Sequence, residues 1–161
     1  MTSAFQAAPE LEVSEWLNSA APITLAGLRG RVIALHTFQM LCPGCISHGL
    51  PQAKRIRETF AEADVAVIGL HTVFEHHAVM TADALRVFVH EYRLTFPIGI
   101  DQANSDGPVP RTMQKYALRG TPSLVLIDRL GRLRLSHFGQ IEDLQLGAAI
   151  GQLLAEPALA T

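Results

Sequence analysis

The chain has 161 residues, of which 48% are hydrophobic and 17% are charged, and its formal net charge at pH 7 is −2. This length allows one domain with a sizeable core, and the composition argues against a disordered chain. The nearly balanced charge gives no electrostatic reason to expect nucleic acid or an anionic membrane as a partner. We therefore predict a single domain over residues 1–161, with its core at about 22–156.

The N-terminal stretch MTSAFQAAPELEV contains neither a basic region nor an apolar run of signal-peptide length. No stretch of the sequence is long and apolar enough to span a bilayer. We expect a cytoplasmic protein, and structural disulfides are rare in that compartment. The two cysteines of the chain, Cys42 and Cys45, lie three positions apart. In a cytoplasmic protein this spacing indicates redox or metal chemistry.

The first third of the chain predicts two strands and a helix. Residues 1–22 form a mixed lead-in that Trp16 anchors to the core, and PITLAGLRGR (22–31) predicts a short strand and a turn. RVIALHTF (31–38) is an apolar run typical of a buried strand. Apolar residues then recur at steps of three and four, which predicts a helix over about 46–62.

The rest of the chain alternates between strand and helix patterns. We predict a central parallel strand at 65–71, a helix at 81–93, a short strand at 96–100, a short helix at 110–118, a strand at 123–128, an antiparallel edge strand at 132–138 and a closing helix at 141–155. This order is typical of an α/β sheet in which parallel strands come first and a hairpin comes last.

A buried strand that leads into Cys-Pro-Gly-Cys at the start of a helix favours thiol chemistry. The free N–H groups and the dipole at a helix N-terminus stabilise thiolate over thiol at Cys42. Thiolate is the attacking species in disulfide exchange, so we predict Cys42 as the nucleophile. Cys45, one turn into the helix, would then attack the mixed disulfide. Pro43 and Gly44 form the active-site loop, which Pro43 pre-shapes.

The Gly-Thr-Pro sequence directly before a predicted strand is a second candidate element. A cis bond between Thr121 and Pro122 would leave free backbone groups on Thr121 beside the dithiol. An extended substrate could pair with those groups as a strand does, which makes both residues candidates for substrate binding. A trans proline that begins the strand is equally compatible with the sequence.

Together these segments resemble the thioredoxin superfamily, and within it the TlpA-like thiol–disulfide oxidoreductases, or redoxins. The matching segments are LRGRVIALHTF, CPGC, VAVIGLHT, YRLTFPIGID and YALRGTPSLVLIDRLGRLR, over roughly residues 22–138. The helix and strand at 81–100 resemble the insert of the TlpA-like and peroxiredoxin branch. The resemblance implies a thioredoxin-like fold with a central mixed sheet flanked by helices. It also implies attack by Cys42, resolution by Cys45 and a cis Pro122 facing them.

The sequence departs from this pattern at several positions. His36 stands where relatives carry a buried Asp or Asn; it is either a proton acceptor for Cys45 or a core histidine bonded to a carbonyl. Glu75 is the candidate for a buried, proton-shuttling glutamate, although exposure in a loop is the competing interpretation. Leu41 replaces the usual aromatic residue. Pro51 lies one position later than in relatives, which predicts an extra residue in the first helical turns and a kink.

These observations favour a thiol–disulfide oxidoreductase that acts through the dithiol without a cofactor. In the reducing cytoplasm we expect it to reduce a disulfide-containing protein or small molecule, supplied with electrons by an upstream thiol reductant. A thiol peroxidase is one alternative, but Gln39 occupies the position where peroxidatic sites carry Thr or Ser. A non-enzymatic partner-binding domain is another, and it has no need of two thiols.

A metal-binding module is the remaining alternative. Cys42, Cys45 and His48 have the spacing of zinc ligands, and the candidates for a fourth ligand are His36, His71, His76 and His77. A structural zinc site usually has a second ligand pair at similar spacing, and this sequence has none. We therefore assign no metal.

Overall fold

The computed structural model describes residues 5–158 of the chain. The strands are β1 (Val13–Leu17), β2 (Val32–Phe38), β3 (Val65–His71), β4 (Ile98–Asp101), β5 (Ser123–Ile127) and β6 (Leu133–Phe138). The α-helices are α1 (Leu50–Thr59), α2 (Ala82–Glu91), α3 (Arg111–Lys115) and α4 (Asp143–Ala155). A 3₁₀ turn at Ala26–Leu28 precedes β2, and a π-helical turn at Cys45–Gly49 precedes α1.

The strands form one mixed sheet in the order β1-β4-β3-β2-β5-β6. β2, β3 and β4 are parallel, whereas β1 pairs antiparallel with β4, and β5 pairs antiparallel with both β2 and β6. β2 lies in the interior of the sheet, and all seven of its residues are buried. The sheet confirms the predicted α/β, thioredoxin-like fold, including β6 as an antiparallel edge strand.

Each face of the sheet carries its own hydrophobic cluster. On β2, Ala34 and Phe38 belong to the cluster that also contains buried residues of α1, α2 and α4, and Cys45 belongs to it as well. Ile33 and Leu35 belong to the opposite cluster, which the N-terminal segment and the residues after α3 cover. The alternation along one strand therefore places Cys45 on the same side of the sheet as the three longer helices.

The predicted insert at 81–100 is present as α2 and β4. Phe88 of α2 stacks on Phe38 of β2 with ring centroids 6.2 Å apart. β4 adds a parallel strand beside β3 and also pairs with β1 on its other side. The insert therefore widens the sheet and covers the end of β2 that leads to the dithiol.

The strand predicted within 22–31 is wrong, because that segment contains only the 3₁₀ turn. The first strand is β1, which lies inside the lead-in and pairs with β4, more than 80 residues away in sequence. Trp16 of β1 packs against the second cluster, as expected of the anchor. The sheet and its core thus extend N-terminally beyond residue 22, since a long-range pairing converts a weakly patterned segment into a strand.

The helix expected over 46–62 consists of the π-turn followed by α1. In the π-turn the Leu50 N–H bonds to the Cys45 carbonyl five residues back, and this is the extra residue that the position of Pro51 predicted. Pro51 lies in the first turn of α1, directly after the π-turn. The extra residue is therefore accommodated by the π-turn directly before Pro51.

We expect Gly69→Ala to destabilise the protein by about 1–3 kcal/mol, because overpacking a core has this order of cost. A Cβ at Gly69 would lie 3.0 Å from the Phe96 ring and 3.2 Å from Ile98. Gly147→Ala in α4 is the matched control, since a Cβ there meets nothing within 4 Å and alanine favours a helix by about 0.5–1 kcal/mol. Urea denaturation measures both changes, and equal effects would contradict the close packing at β3.

Candidate active site

Cys42 and Cys45 form a disulfide bond where the chain leaves the carboxyl end of β2 and enters the helix. The two sulfur-bearing residues differ in access to solvent. Cys42 is partly exposed, whereas Cys45 is fully buried in the cluster on the helical side of the sheet. A molecule arriving from solvent can therefore reach the sulfur of Cys42 and not that of Cys45.

The backbone around Cys42 has the geometry of a helix N-terminus. The Cys45 N–H donates to Cys42 Sγ at 3.2 Å, and the Cys42 carbonyl accepts from the N–H groups of Cys45 and Ile46. Pro43 is exposed and already helical, at a position where proline is favoured. Because N–H groups and the helix dipole both face Cys42, reduction of the disulfide favours the negative charge on this sulfur.

Pro122 faces the dithiol turn and follows a cis peptide bond. The Thr121 carbonyl oxygen lies 3.5 Å from Cys42 Sγ. A Cβ at Gly44 would lie 3.3 Å from Pro122 Cδ, and one at Gly49 would lie 3.1 Å from Pro122 Cβ. Two glycines on successive turns thus make room for one proline ring. Gly49 was not among the predicted site residues, and only the proline on the opposite loop explains it.

Two buried hydroxyls support the loop before Pro122. Thr37 of β2 donates to the Ser123 carbonyl at 3.2 Å, and Ser123 Oγ donates to the Gly120 carbonyl at 2.7 Å. The Gly139 N–H donates to the Pro122 carbonyl at 2.8 Å. The sequence analysis missed these residues, although the serine directly after Thr-Pro was a readable signal for a side-chain contact within a turn.

The segment between β2 and Cys42 is tied to the end of β3 and to the loop that follows it. The Gln39 side chain is buried, and its Oε1 accepts from the Phe74 N–H at 3.2 Å. The Met40 N–H donates to Nε2 of the buried His71 at 3.3 Å. An Nε2 that accepts a hydrogen bond belongs to a neutral imidazole. Burial agrees with this assignment, since it lowers the pKa of His71 to about 4.

His36 lies on β2 at full burial, two residues from Ala34 and Phe38 and so on the side of the sheet that contains Cys45. Burial, together with the nearby His48, lowers the pKa of His36 to about 3. Its Nε2 has no hydrogen-bond partner within residues 5–158. His36 is thus a neutral imidazole with an unused nitrogen, and the carbonyl bond considered for it is not made by Nε2.

Glu75 is exposed, in the loop that follows β3. Its Oε1 accepts from Gln39 Nε2 at 3.4 Å, so it touches the segment that leads to Cys42 without being buried. The desolvated position of a proton-shuttling glutamate is therefore not found at this residue. Exposure in a loop, the competing interpretation, is what the structure contains.

The candidate zinc ligands do not converge. Cys42 and Cys45 are bonded to each other, and the His48 ring bonds to the Ile141 carbonyl at 3.1 Å. Across residues 5–158, no group of three or more His, Cys, Asp or Glu side chains is placed to hold a metal ion. The same part of the chain contains no helix that is long and apolar enough to cross a membrane.

The fold and the dithiol geometry agree with comparisons to known proteins. Residues 5–136 match the model of the AhpC/TSA family. The chain belongs to this family. A search of curated proteins gave no match. The redoxin family and the CXXC disulfide together make the chain a thioredoxin-like thiol–disulfide oxidoreductase.

Several solved structures share this fold. The crystal structure of a thioredoxin-like superfamily protein is 56% identical with a TM-score of 0.94, and the alignment covers 96% of this chain and 99% of that one. A thiol-disulfide isomerase from Corynebacterium glutamicum is 49% identical with a TM-score of 0.89, with coverage of 93% and 98%. StoA from Bacillus subtilis, at 21% identity, a TM-score of 0.64 and coverage of 87% and 93%, is similar in fold alone.

The two buried histidines predict a loss of stability in mild acid. When folding lowers the pKa of a histidine, the unfolded state takes up the proton first as the pH falls. The neutral histidine therefore contributes its full share to the free energy of unfolding above the unfolded pKa of about 6.5. This share is lost as the pH falls towards the pKa of the folded state. For His36 we expect a loss of about 2 kcal/mol between pH 7.5 and pH 5. Urea denaturation at both pH values measures the free energy of unfolding. In His36→Leu the decrease of this free energy that comes from His36 should be absent, while the decrease that comes from His71 should remain. An unchanged pH dependence in His36→Leu would contradict the assignment.

Proposed function

We propose that this protein is a disulfide reductase in which Cys42 is the nucleophile and Cys45 the resolving thiol. The observation that carries the proposal is the asymmetry of the pair. Cys42 is partly exposed at a helix N-terminus beside Pro122, and Cys45 is fully buried behind it. An accessible, stabilised thiolate next to a shielded thiol is the arrangement that two-step disulfide exchange needs.

In the first step the Cys42 thiolate attacks one sulfur of the substrate disulfide. The substrate S–S bond breaks, a bond forms between Cys42 and the attacked sulfur, and the released thiolate takes a proton. In the second step Cys45 loses its proton and attacks Cys42 Sγ, which releases the other substrate thiol and leaves the enzyme disulfide. An upstream dithiol reductant then returns two electrons and two protons to the pair.

Three further residues have roles in this proposal. Thr121 and Pro122 border Cys42 and offer backbone groups to an extended substrate. His36 is the candidate acceptor for the proton of Cys45, because it lies on the Cys45 side of the sheet with an unpartnered Nε2. Its pKa of about 3 makes it a weak base, so a proton taken up by this nitrogen has to pass on at once.

The surroundings of the dithiol support reduction as the direction of reaction. Within residues 5–158, the polar contacts of Cys42 Sγ outside the disulfide are the Cys45 N–H and the Thr121 carbonyl, and neither is a cation. A strong oxidant needs a reduced form that is unusually stabilised, and a cation beside the thiolate is the common source of that stability. We propose that the reaction takes place in the cytoplasm, where the glutathione pool is reducing.

A disulfide isomerase is the second candidate. The 49% identity to a protein described as a thiol-disulfide isomerase, over nearly the full length of both chains, favours it. An isomerase uses the same attack by Cys42 but operates at a higher reduction potential, so that the mixed disulfide can rearrange within the substrate. The reduction potential therefore distinguishes the two functions.

We expect Cys42→Ser to abolish disulfide exchange, because no accessible thiolate remains. Cys45→Ser should retain the first step and accumulate mixed disulfides, because the resolving thiol is missing. Mass spectrometry of each variant after incubation with a disulfide peptide measures the adduct. Ser47→Ala, on the exposed side of the π-turn, is the control for changes to this helix. Equal adduct formation by the two cysteine variants would contradict the assigned roles.

We expect a two-electron redox transition with a midpoint at or below about −220 mV, the upper range of the cytosolic glutathione poise. Counting free thiols in dithiothreitol buffers of known potential gives this value. A midpoint near about −180 mV, the value of protein disulfide isomerase, would favour the isomerase over the reductase. A dithiol that never oxidises would contradict both functions.

A further inference from the structure

We propose that Arg119 and Phe138 form a recognition site for the substrate and select a protein segment with an acidic and an apolar residue beside its disulfide-bonded cysteine. This inference rests on the proposed function and specifies the substrate class of the same dithiol. The shared feature of the two residues is that both adjoin the loop that carries Thr121 and Pro122.

Phe138 ends β6 and is half exposed. Its ring lies on the backbone of Gly120, where a Cβ would come within 2.9 Å of Phe138 Cε2. The neighbouring Gly139 N–H bonds to the Pro122 carbonyl, so the ring is held at a fixed place beside the loop. Any side chain at Gly120 would displace the ring. The glycine therefore maintains an exposed aromatic face beside the loop whose Thr121 carbonyl lies 3.5 Å from Cys42 Sγ.

Arg119 supplies an uncompensated positive charge at this face. Its guanidinium carbon lies 5.9 Å from the centre of the Phe138 ring, and the residue is exposed. Arg119 takes part in none of the salt bridges within residues 5–158. An unpaired cation on an aromatic ring presents both a charge and an apolar surface to a partner.

Leu41 provides a second apolar surface, since it directly precedes Cys42 and is 60% exposed. A mixed disulfide holds the substrate sulfur about 2 Å from Cys42 Sγ, and an extended chain advances about 3.3 Å per residue. Residues one or two positions from the substrate cysteine must therefore lie against the surfaces next to Cys42. The partner that the mixed disulfide holds against these surfaces is an extended protein segment, and its negative charge complements Arg119.

The test uses three disulfide peptides that differ only in the two residues beside the cysteine. These residues are Glu and Leu in the first peptide, Lys and Leu in the second, and Glu and Ser in the third. The measured quantity is kcat/KM with dithiothreitol as the upstream reductant. We expect wild type to prefer the Glu–Leu over the Lys–Leu peptide about threefold at low salt, as for one exposed ion pair, and to lose this preference at high salt.

Arg119→Glu should reverse the order of these two peptides, and Phe138→Ser should remove the preference for Leu over Ser. Ratios between peptides cancel any general loss of activity in a variant. Arg93→Glu, an exposed arginine beyond α2, is the matched control and should keep the wild-type order.

Equal rates with all three peptides in wild type would overturn the recognition site and leave disulfide exchange intact. If oxidised glutathione is reduced as fast as the Glu–Leu peptide, the substrate needs no apolar flanking residue. This result would overturn the assignment of a protein substrate. The absence of exchange with every disulfide would overturn the proposed function itself.

Discussion

The close approach of Pro122 to the dithiol turn is the packing constraint on which the site depends. One proline ring lies against Gly44 and Gly49, at distances where a side chain on either residue would force the ring or the turn to shift. This contact joins two segments that are more than 70 residues apart in sequence. The neighbouring Thr121 carbonyl lies 3.5 Å from Cys42 Sγ, so the same loop borders the reactive sulfur with its backbone.

The π-turn is compatible with this packing. An α-helix places residues i and i+5 on different sides, whereas the wider π-turn brings Gly49 to the side that also contains Gly44. The turn ends directly before Pro51, whose ring then lies in the first turn of α1. The extra residue in the sequence is thus accommodated at the active site, where π-turns are often found, and the rest of α1 is regular.

The electrostatics of the site come from neutral groups. His36 and His71 are both buried with lowered pKa values, so neither brings a positive charge to the dithiol at pH 7. The favourable interactions of Cys42 are those of backbone N–H groups at a helix N-terminus. Arg119, the proposed recognition residue, is exposed, and it is not among the polar contacts of Cys42 Sγ within residues 5–158. In this proposal the charge of Arg119 acts in substrate recognition, and the backbone N–H groups act on the reactivity of Cys42.

The sequence by itself determined the order of strands and helices from β2 onwards and the dithiol at a helix N-terminus, because these features depend on local periodicity and spacing. The extra residue before Pro51 followed from the resemblance to relatives. Tertiary structure decided the rest. β1 forms only by pairing with β4, Gly49 is explained only by the Pro122 ring, and Glu75 is exposed in the loop after β3. Likewise, the burial that leaves His36 neutral arises from three helices packing on one face of the sheet. Contacts between distant segments set these properties, and no local pattern in the sequence encodes such contacts.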